Sequence, residues 1–107
     1  MPDALTAFAA ALDWLEAHPD QHTTCTLARD ASNLPIDPRH PDAACWCALG
    51  RFVLELTGPD ANPLKYPLTN TAAAQPLVNI GLINDAQDVY HLNDGPNPFP
   101  NLRRLLP

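Results

Sequence analysis

Thirteen prolines divide this 107-residue chain, and no other feature of the sequence limits its fold so strongly. They cluster at positions 35–41, 59–67 and 96–107, between and after the apolar segments. Proline lacks a backbone N–H and fixes φ, so it interrupts helices and central strands and stiffens loops. We therefore expect short elements joined by rigid loops, in one domain that spans residues 1–107.

The clearest helix is predicted near the N-terminus, over residues 3–17. Leucine and phenylalanine recur there at positions 5, 8, 12 and 15, which is the spacing of one helical face. Asp3 is placed to cap the first turn. The helix is expected to stop at His18, because the residue before Pro19 avoids helical backbone angles.

A second helix is predicted over residues 41–57, with Pro41 at its first position. On this helix Cys45 falls on the apolar face. Cys47 lies about 200° further round and is the cysteine expected to be exposed. Gly50 lowers helix propensity, and such a glycine is typical of a close crossing, here with the alanine-rich first helix.

The remaining elements are shorter. Thr23 to Ala28 is rich in β-branched residues and could pair with residues 34–36, giving a small β-hairpin near residues 24–36. Residues 71–92 predict a helix that Pro76 either interrupts or restarts, and a short terminal helix follows Pro100. The predicted fold class is mainly α, a compact single domain of about four short helices with that hairpin as a possible addition.

Charge and cysteine content narrow the function. With 6 basic and 12 acidic residues the net charge is −6, and the chain lacks the basic patch of a nucleic-acid binder. An acidic surface most often serves solubility, and the sharper interpretation is attraction to a protein partner with a basic surface. No apolar run approaches the ~18 residues that predict a membrane span, and no basic segment precedes the apolar N-terminus. With an odd count of three cysteines, we expect a cytoplasmic protein without structural disulfides.

One candidate chemistry is a cysteine nucleophile. A thiol near a helix N-terminus is favoured as the thiolate. Cys47, or else Cys45, would then use His91 as its base, with Asn93 or Asp94 to orient the histidine. This alternative predicts a cysteine-dependent hydrolase or transferase. Packing of the thiols in the core is the competing interpretation and the commoner one.

Metal and cofactor sites are weakly indicated. Cys25, Cys45 and Cys47 with one histidine could form a zinc site, but two cysteines at C-x-C spacing on a helix diverge. The aspartates form no calcium-binding loop, and no glycine-rich phosphate loop is present. We predict neither a metal nor a cofactor.

Arg29 and Asp30 stand in a predicted turn before the second helix. Such a pair often fixes a loop through bidentate hydrogen bonds, which is the structural interpretation. The functional interpretation is a recognition loop that contacts a partner.

Several short motifs resemble a family of small bacterial and phage proteins classed as a domain of unknown function. These are A-R-D at 28–30, D-P at 37–38, W-C-A-L-G at 46–50 and N-D-x-P at 93–96. The resemblance implies an N-terminal helix, a loop, a central helix and a further helix that ends at N-D-x-P. Here the last helix is delayed by the prolines at 98 and 100, which departs from the family pattern.

The resemblance also implies roles for the matched positions, namely holding the loops onto the helices. Arg29 could pair with Asp94 across the domain. The candidate binding residues are Arg29, Asp30, Trp46, Asn93 and Asp94, and Cys47 is a further matched position. We expect a non-enzymatic acidic protein-binding module, encoded by a phage or mobile element, that inhibits a host nucleic-acid-handling or defence system.

Overall fold

Asp3 caps the first helix, α1, which spans Ala4–Ala17. Its carboxylate accepts a hydrogen bond from the backbone N–H of Thr6 at 2.7 Å. The helix ends at His18, as predicted from the proline that follows. The computed structural model describes residues 3–59 and 68–107. Most of the predicted proline-rich loop over 59–67 therefore lies outside the described residues.

The second helix begins later than predicted. The structure has a strand, β2, at Ala43–Trp46, followed by helix α2 at Ala48–Thr57. Cys47 caps α2, and its Sγ accepts a hydrogen bond from the Gly50 N–H at 3.3 Å. The prediction that Pro41 opens the helix is therefore wrong. Pairing with a distant strand has overridden the local helical tendency of the two alanines at positions 43 and 44.

That distant strand is β1, Ala28–Asp30, which pairs with β2 in antiparallel orientation. Ala28 lies opposite Trp46, and the register shifts between Arg29 and Asp30. The predicted small antiparallel hairpin is thus present, but its second strand is not residues 34–36. That segment runs along the other edge of β1, where Pro35 forms a single bridge with Arg29.

Three further α-helices and a short 3₁₀ helix at Pro19–Gln21 complete the described fold. The α-helices are α3 at Asn70–Asn79, α4 at Ala86–Asn93 and α5 at Pro98–Arg103. The helix predicted over residues 71–92 is interrupted, as expected, but the break lies after α3. Pro76 is within α3, and the helix continues through it. Gly81, with φ +76°, turns the chain there. Asp85 and Asp88 then form a capping box that starts α4.

The core lies between α1 and α2 and is closed by the later helices. Phe8 meets Phe52 edge to face, with ring centroids 6.1 Å apart. Gly50 does mark a close approach, but not to α1 as predicted. A Cβ at this position would lie 1.9 Å from the carbonyl oxygen of Leu27, just before β1. The glycine therefore lets α2 pack directly on backbone. Within the described residues, no helix combines the length and apolar character that a membrane crossing requires.

Candidate functional site

Cys47 is buried, which corrects the prediction that it is the exposed cysteine of its helix. None of its surface is accessible, whereas Cys45 on β2 is half-buried and Cys25 is exposed. The prediction failed because α2 starts at residue 48, so the assumed helical face does not exist. Burial raises the pKa of the Cys47 thiol to about 11, although backbone N–H groups of α2 act in the opposite direction. Such a thiol is protonated at neutral pH, which disfavours it as a nucleophile.

Among the described residues, the His91 side chain is not hydrogen-bonded to the groups that the cysteine hypothesis assigns to it, although it lines a surface depression together with Asp94. It is exposed on α4. Within residues 3–59 and 68–107, no hydrogen bond joins it to Cys47 or Asn93. The histidine that Asn93 does contact is His22, from the segment before β1. The proposed catalytic residues thus lie in different environments. Cys47 is buried, His91 is exposed, and Asn93 is hydrogen-bonded to other groups.

Asn93 is the buried polar centre of the fold. Its Oδ1 accepts hydrogen bonds from the Ala48 backbone N–H at 2.9 Å and from His22 Nε2 at 2.7 Å. Because that oxygen only accepts, His22 carries its proton on Nε2. The Asn93 amide nitrogen donates to the Thr23 carbonyl at 3.1 Å and to Asp94 at 2.8 Å. One side chain therefore joins the end of α4, the start of α2 and residues 22–23.

Asp94 continues this connection on the outside of the molecule. Both carboxylate oxygens lie 3.3 Å from the backbone nitrogen of Cys25, which donates to them. Cys25 has φ +67°, in the left-handed region that non-glycine residues seldom occupy. The suggested pairing of Arg29 with Asp94 is wrong. Arg29 instead donates to Thr23 Oγ1 at 3.2 Å and to the Asn33 carbonyl at 3.0 Å.

Several hydrogen bonds within the loop from Arg29 to Leu34 order its turn. Asp30 Oδ1 accepts from the backbone N–H groups of Ser32 at 2.9 Å and Leu34 at 3.0 Å. The Asp30 backbone N–H donates to the Leu34 carbonyl at 2.9 Å. Arg29 fixes the loop through Asn33, not through the bidentate pair with Asp30 that its sequence position suggests.

At the end of this loop Leu34 projects into solvent with 60% of its surface exposed. Sequence reasoning singled out the two charged residues and missed the leucine. The sequence did contain an indication of this exposure. Leu34 directly follows the polar turn Asp-Ala-Ser-Asn, where few apolar neighbours are available to bury it. The rigid loop therefore presents an apolar side chain, and its charged residues serve to hold the turn.

Trp46, one of the predicted binding residues, is buried and makes its contacts within the domain. Its indole N–H donates to the Pro38 carbonyl at 2.9 Å, and its ring meets Trp14 edge to face at 5.3 Å. The Arg51 guanidinium lies 3.8 Å from the Trp14 ring centroid and 5.0 Å from that of Trp46. It also pairs with Glu55 at 2.9 Å. These contacts make Trp46 a packing residue with a cation on its ring.

In the described part of the chain most arginines form ion pairs, and several other carboxylates are exposed. Three arginines form ion pairs: Arg39 with Asp37, Arg51 with Glu55, and Arg103 with both Asp13 and Glu16. Arg103 donates hydrogen bonds to the carboxylates of Asp13 and Glu16, and these bonds raise the pKa of its guanidinium. Exposed carboxylates that pair with no cation among the described residues include Asp20, Asp85 and Asp94.

Metal binding finds no support in the geometry of the cysteines and acids. Among residues 3–59 and 68–107, no group of three or more His, Cys, Asp or Glu side chains is arranged to hold an ion. The three cysteines considered as zinc ligands differ in burial and do not converge.

Comparisons with models of known families, with curated proteins and with solved structures found no match to this chain. The family resemblance of the short motifs therefore stays a prediction.

Proposed function

We propose that this chain is a non-enzymatic, acidic protein-binding module whose main contact element is the loop from Arg29 to Leu34. The observation that carries the proposal is the exposed Leu34 side chain on a loop that several internal hydrogen bonds already order. A contact residue that is ordered before binding loses little conformational entropy when the complex forms. An exposed apolar side chain on such a support is a good candidate for an anchor in a partner's pocket.

The charge distribution supports a basic partner. The net charge is −6, and most arginines in the described part of the chain are neutralised by carboxylates of the same molecule. Opposite potentials speed association and favour a correctly charged partner, and this effect weakens as salt screens it. Association with such a partner is therefore expected to be faster in low salt.

A narrower form of the proposal names the partner class. A small acidic protein can occupy the basic groove of a nucleic-acid-handling protein, and a phage or mobile element gains from inhibiting a host defence complex in this way. Size and acidity support this form. It predicts that the captured partner loses nucleic-acid binding when this protein is present.

The test immobilises the full chain and captures partners from lysate of the host cell, at about 0.05 M and about 0.5 M salt. We expect a stoichiometric complex at low salt that weakens at high salt. Leu34→Asp should abolish capture, because it places a charge where the partner provides an apolar pocket.

The matched control is Ile80→Asp, since Ile80 is the other large exposed apolar side chain in the described part of the chain, at 52%. Capture that survives Leu34→Asp but not Ile80→Asp would overturn the loop assignment. Failure to recover any partner at low salt would overturn the function itself.

A further inference from the structure

A small polar depression lies beside Asp94, at the surface where α3, α4 and the segment before β1 meet. It is about 190 Å³ in volume and is lined by Cys25, Asn70, Gln87, Tyr90 and Asp94. A second depression of about 360 Å³ adjoins it, sharing Gln87, Tyr90 and Asp94. Drug-sized ligands and cofactors occupy pockets of roughly 300–1,000 Å³. The smaller depression is therefore suited to the head of a single side chain.

The Asp94 carboxylate in this depression keeps unused capacity to accept hydrogen bonds. Oδ1 accepts a short bond of 2.8 Å from the Asn93 amide, whereas Oδ2 has only the long 3.3 Å contact with the Cys25 N–H. A carboxylate offers about four lone-pair positions on its two oxygens. In the part of the chain that the structure describes, no cation pairs with it, so its charge is not neutralised there.

The neighbouring groups add further acceptors. The Tyr90 hydroxyl donates to Asn70 Oδ1 at 3.1 Å and also shares a hydrogen bond with the buried Cys47 thiol, so its oxygen offers the depression at most one further lone pair. Burial and the nearby Cys47 thiol raise the pKa of Tyr90, so the phenol stays neutral. Gln87 is exposed, and its side-chain amide bonds to no other described residue. The depression thus combines one negative charge with the Gln87 amide oxygen and the partly engaged oxygens of Tyr90 and Asn70.

We propose that this depression binds the guanidinium group of an arginine side chain carried by the protein partner. A guanidinium has five N–H donors in a rigid plane and cannot lose its charge, so it suits a carboxylate flanked by amide and phenol oxygens. An anionic group is disfavoured by the unneutralised Asp94. The inference rests on the proposed function in one respect, namely that a protein partner supplies the arginine. The affinity of the depression for a guanidinium group is a property of this chain alone.

The first experiment titrates the ¹⁵N-labelled full chain with N-acetyl-arginine amide and follows backbone amide shifts. We expect saturable shifts at Gln87, Tyr90 and Asp94, and none from N-acetyl-citrulline amide, which has a similar shape without the charge. Asp94→Asn should weaken binding about tenfold or more, since a charge-assisted hydrogen bond is lost. Asp20→Asn, an exposed carboxylate elsewhere, should leave binding within about twofold.

Three results would overturn the assignment: equal shifts with the citrulline probe, shifts that avoid these residues, or equal weakening by both aspartate variants. If Asp94→Asn does not fold, Gln87→Lys replaces it, because Gln87 is exposed and lysine is a good helix former. Its ammonium should occupy the depression and weaken probe binding about tenfold or more. Unchanged binding of the probe to this variant would overturn the assignment.

Capture of the partner separates this inference from the proposed function. A partner bound equally well by wild type and Asp94→Asn would overturn the arginine contact and leave the binding function intact. If the arginine probe binds in the depression but no partner is captured, the protein-binding function is overturned. The claim that a partner supplies the arginine is then overturned with it.

Discussion

The side-chain oxygen of Asn93 accepts the backbone N–H of Ala48 at 2.9 Å, across 45 residues of sequence. Ala48 is the first residue of α2, whose early N–H groups have no partner within the helix. Asn93 therefore acts as a cap supplied from another helix, α4. The same side chain bonds His22 and Thr23, so the start of α2 and the segment leading into β1 depend on one residue.

We predict that Asn93→Ala is among the most damaging single substitutions in the described part of the chain. It leaves the Ala48 N–H and the Thr23 carbonyl without their partner, and each unsatisfied buried group costs about 1–3 kcal/mol. The free energy of unfolding should fall by about 2–4 kcal/mol in urea denaturation. His91→Ala, on the same helix but exposed, should change it by less than about 0.5 kcal/mol. Equal effects of the two variants would contradict the role of Asn93.

Gly50→Ala tests the close approach of α2 to Leu27. The added Cβ would lie 1.9 Å from the Leu27 carbonyl oxygen, so either α2 or the chain before β1 must move. We expect a loss of about 3 kcal/mol or more in the free energy of unfolding, at or above the upper end of overpacking costs. Gly58→Ala is the control, because no atom of the described residues lies within 4 Å of the added Cβ and only the backbone conformation, with φ +79°, is strained. With φ +79° and ψ 172°, Gly58 lies in a region almost exclusive to glycine, so that variant should lose about 1–3 kcal/mol. A reversed order would contradict the packing described.

Stability should fall at alkaline pH because of Cys47. Burial raises its pKa from 9.0 to about 11, so the unfolded chain releases this proton at a lower pH than the folded one. The stabilisation is complete below pH 9 and is lost as the pH rises toward 11, by about 1.4 kcal/mol per pH unit. Urea denaturation of wild type and Cys47→Ala from pH 8 to pH 10 measures the slope. The pKa of Tyr90 is also raised above its ordinary value of 10.0. Ionisation of Tyr90 therefore lowers stability in the same direction at higher pH, in wild type and in Cys47→Ala alike. Identical slopes would contradict the burial of the thiol.

Asp30→Ala should loosen the contact loop without unfolding the protein. The Asp30 carboxylate holds the N–H groups of Ser32 and Leu34, and both bonds lie at the surface. We expect amide hydrogen exchange at Leu34 to accelerate about tenfold, while exchange in α1 and α2 is unchanged. Binding to the partner should weaken although the leucine is still present, because the ordering then occurs on association. Unaltered exchange at Leu34 would contradict the ordering role of Asp30.

The sequence was most informative where one local pattern sufficed. The apolar spacing of α1, its Asp3 cap and the stop before Pro19 all agree, and the helix forms as predicted. The start of α2 was not predictable in this way. Residues 43–46 contain no strand pattern of their own and become a strand because β1 pairs with them.

The same shift of the helix start explains the error about Cys47. Its exposure was inferred from its angle on a helix that does not include it, whereas its place as N-cap directs it inward. Asn93 was singled out from a motif, but its histidine partner was not, since His22 lies 71 residues away. Contacts between residues so far apart in sequence form only when the whole domain folds, and no periodic pattern in the sequence predicts them.

The most direct test of the binding function is the affinity of the purified partner for three proteins: wild type, Leu34→Ala and Ile80→Ala. Truncation of a side chain that acts as a hot-spot anchor costs about 2 kcal/mol or more, which corresponds to about thirtyfold in Kd. We predict that Leu34→Ala weakens binding by about thirtyfold or more by titration calorimetry, whereas Ile80→Ala changes it less than about threefold. Equal affinities of wild type and Leu34→Ala would contradict the claim that this loop is the contact element.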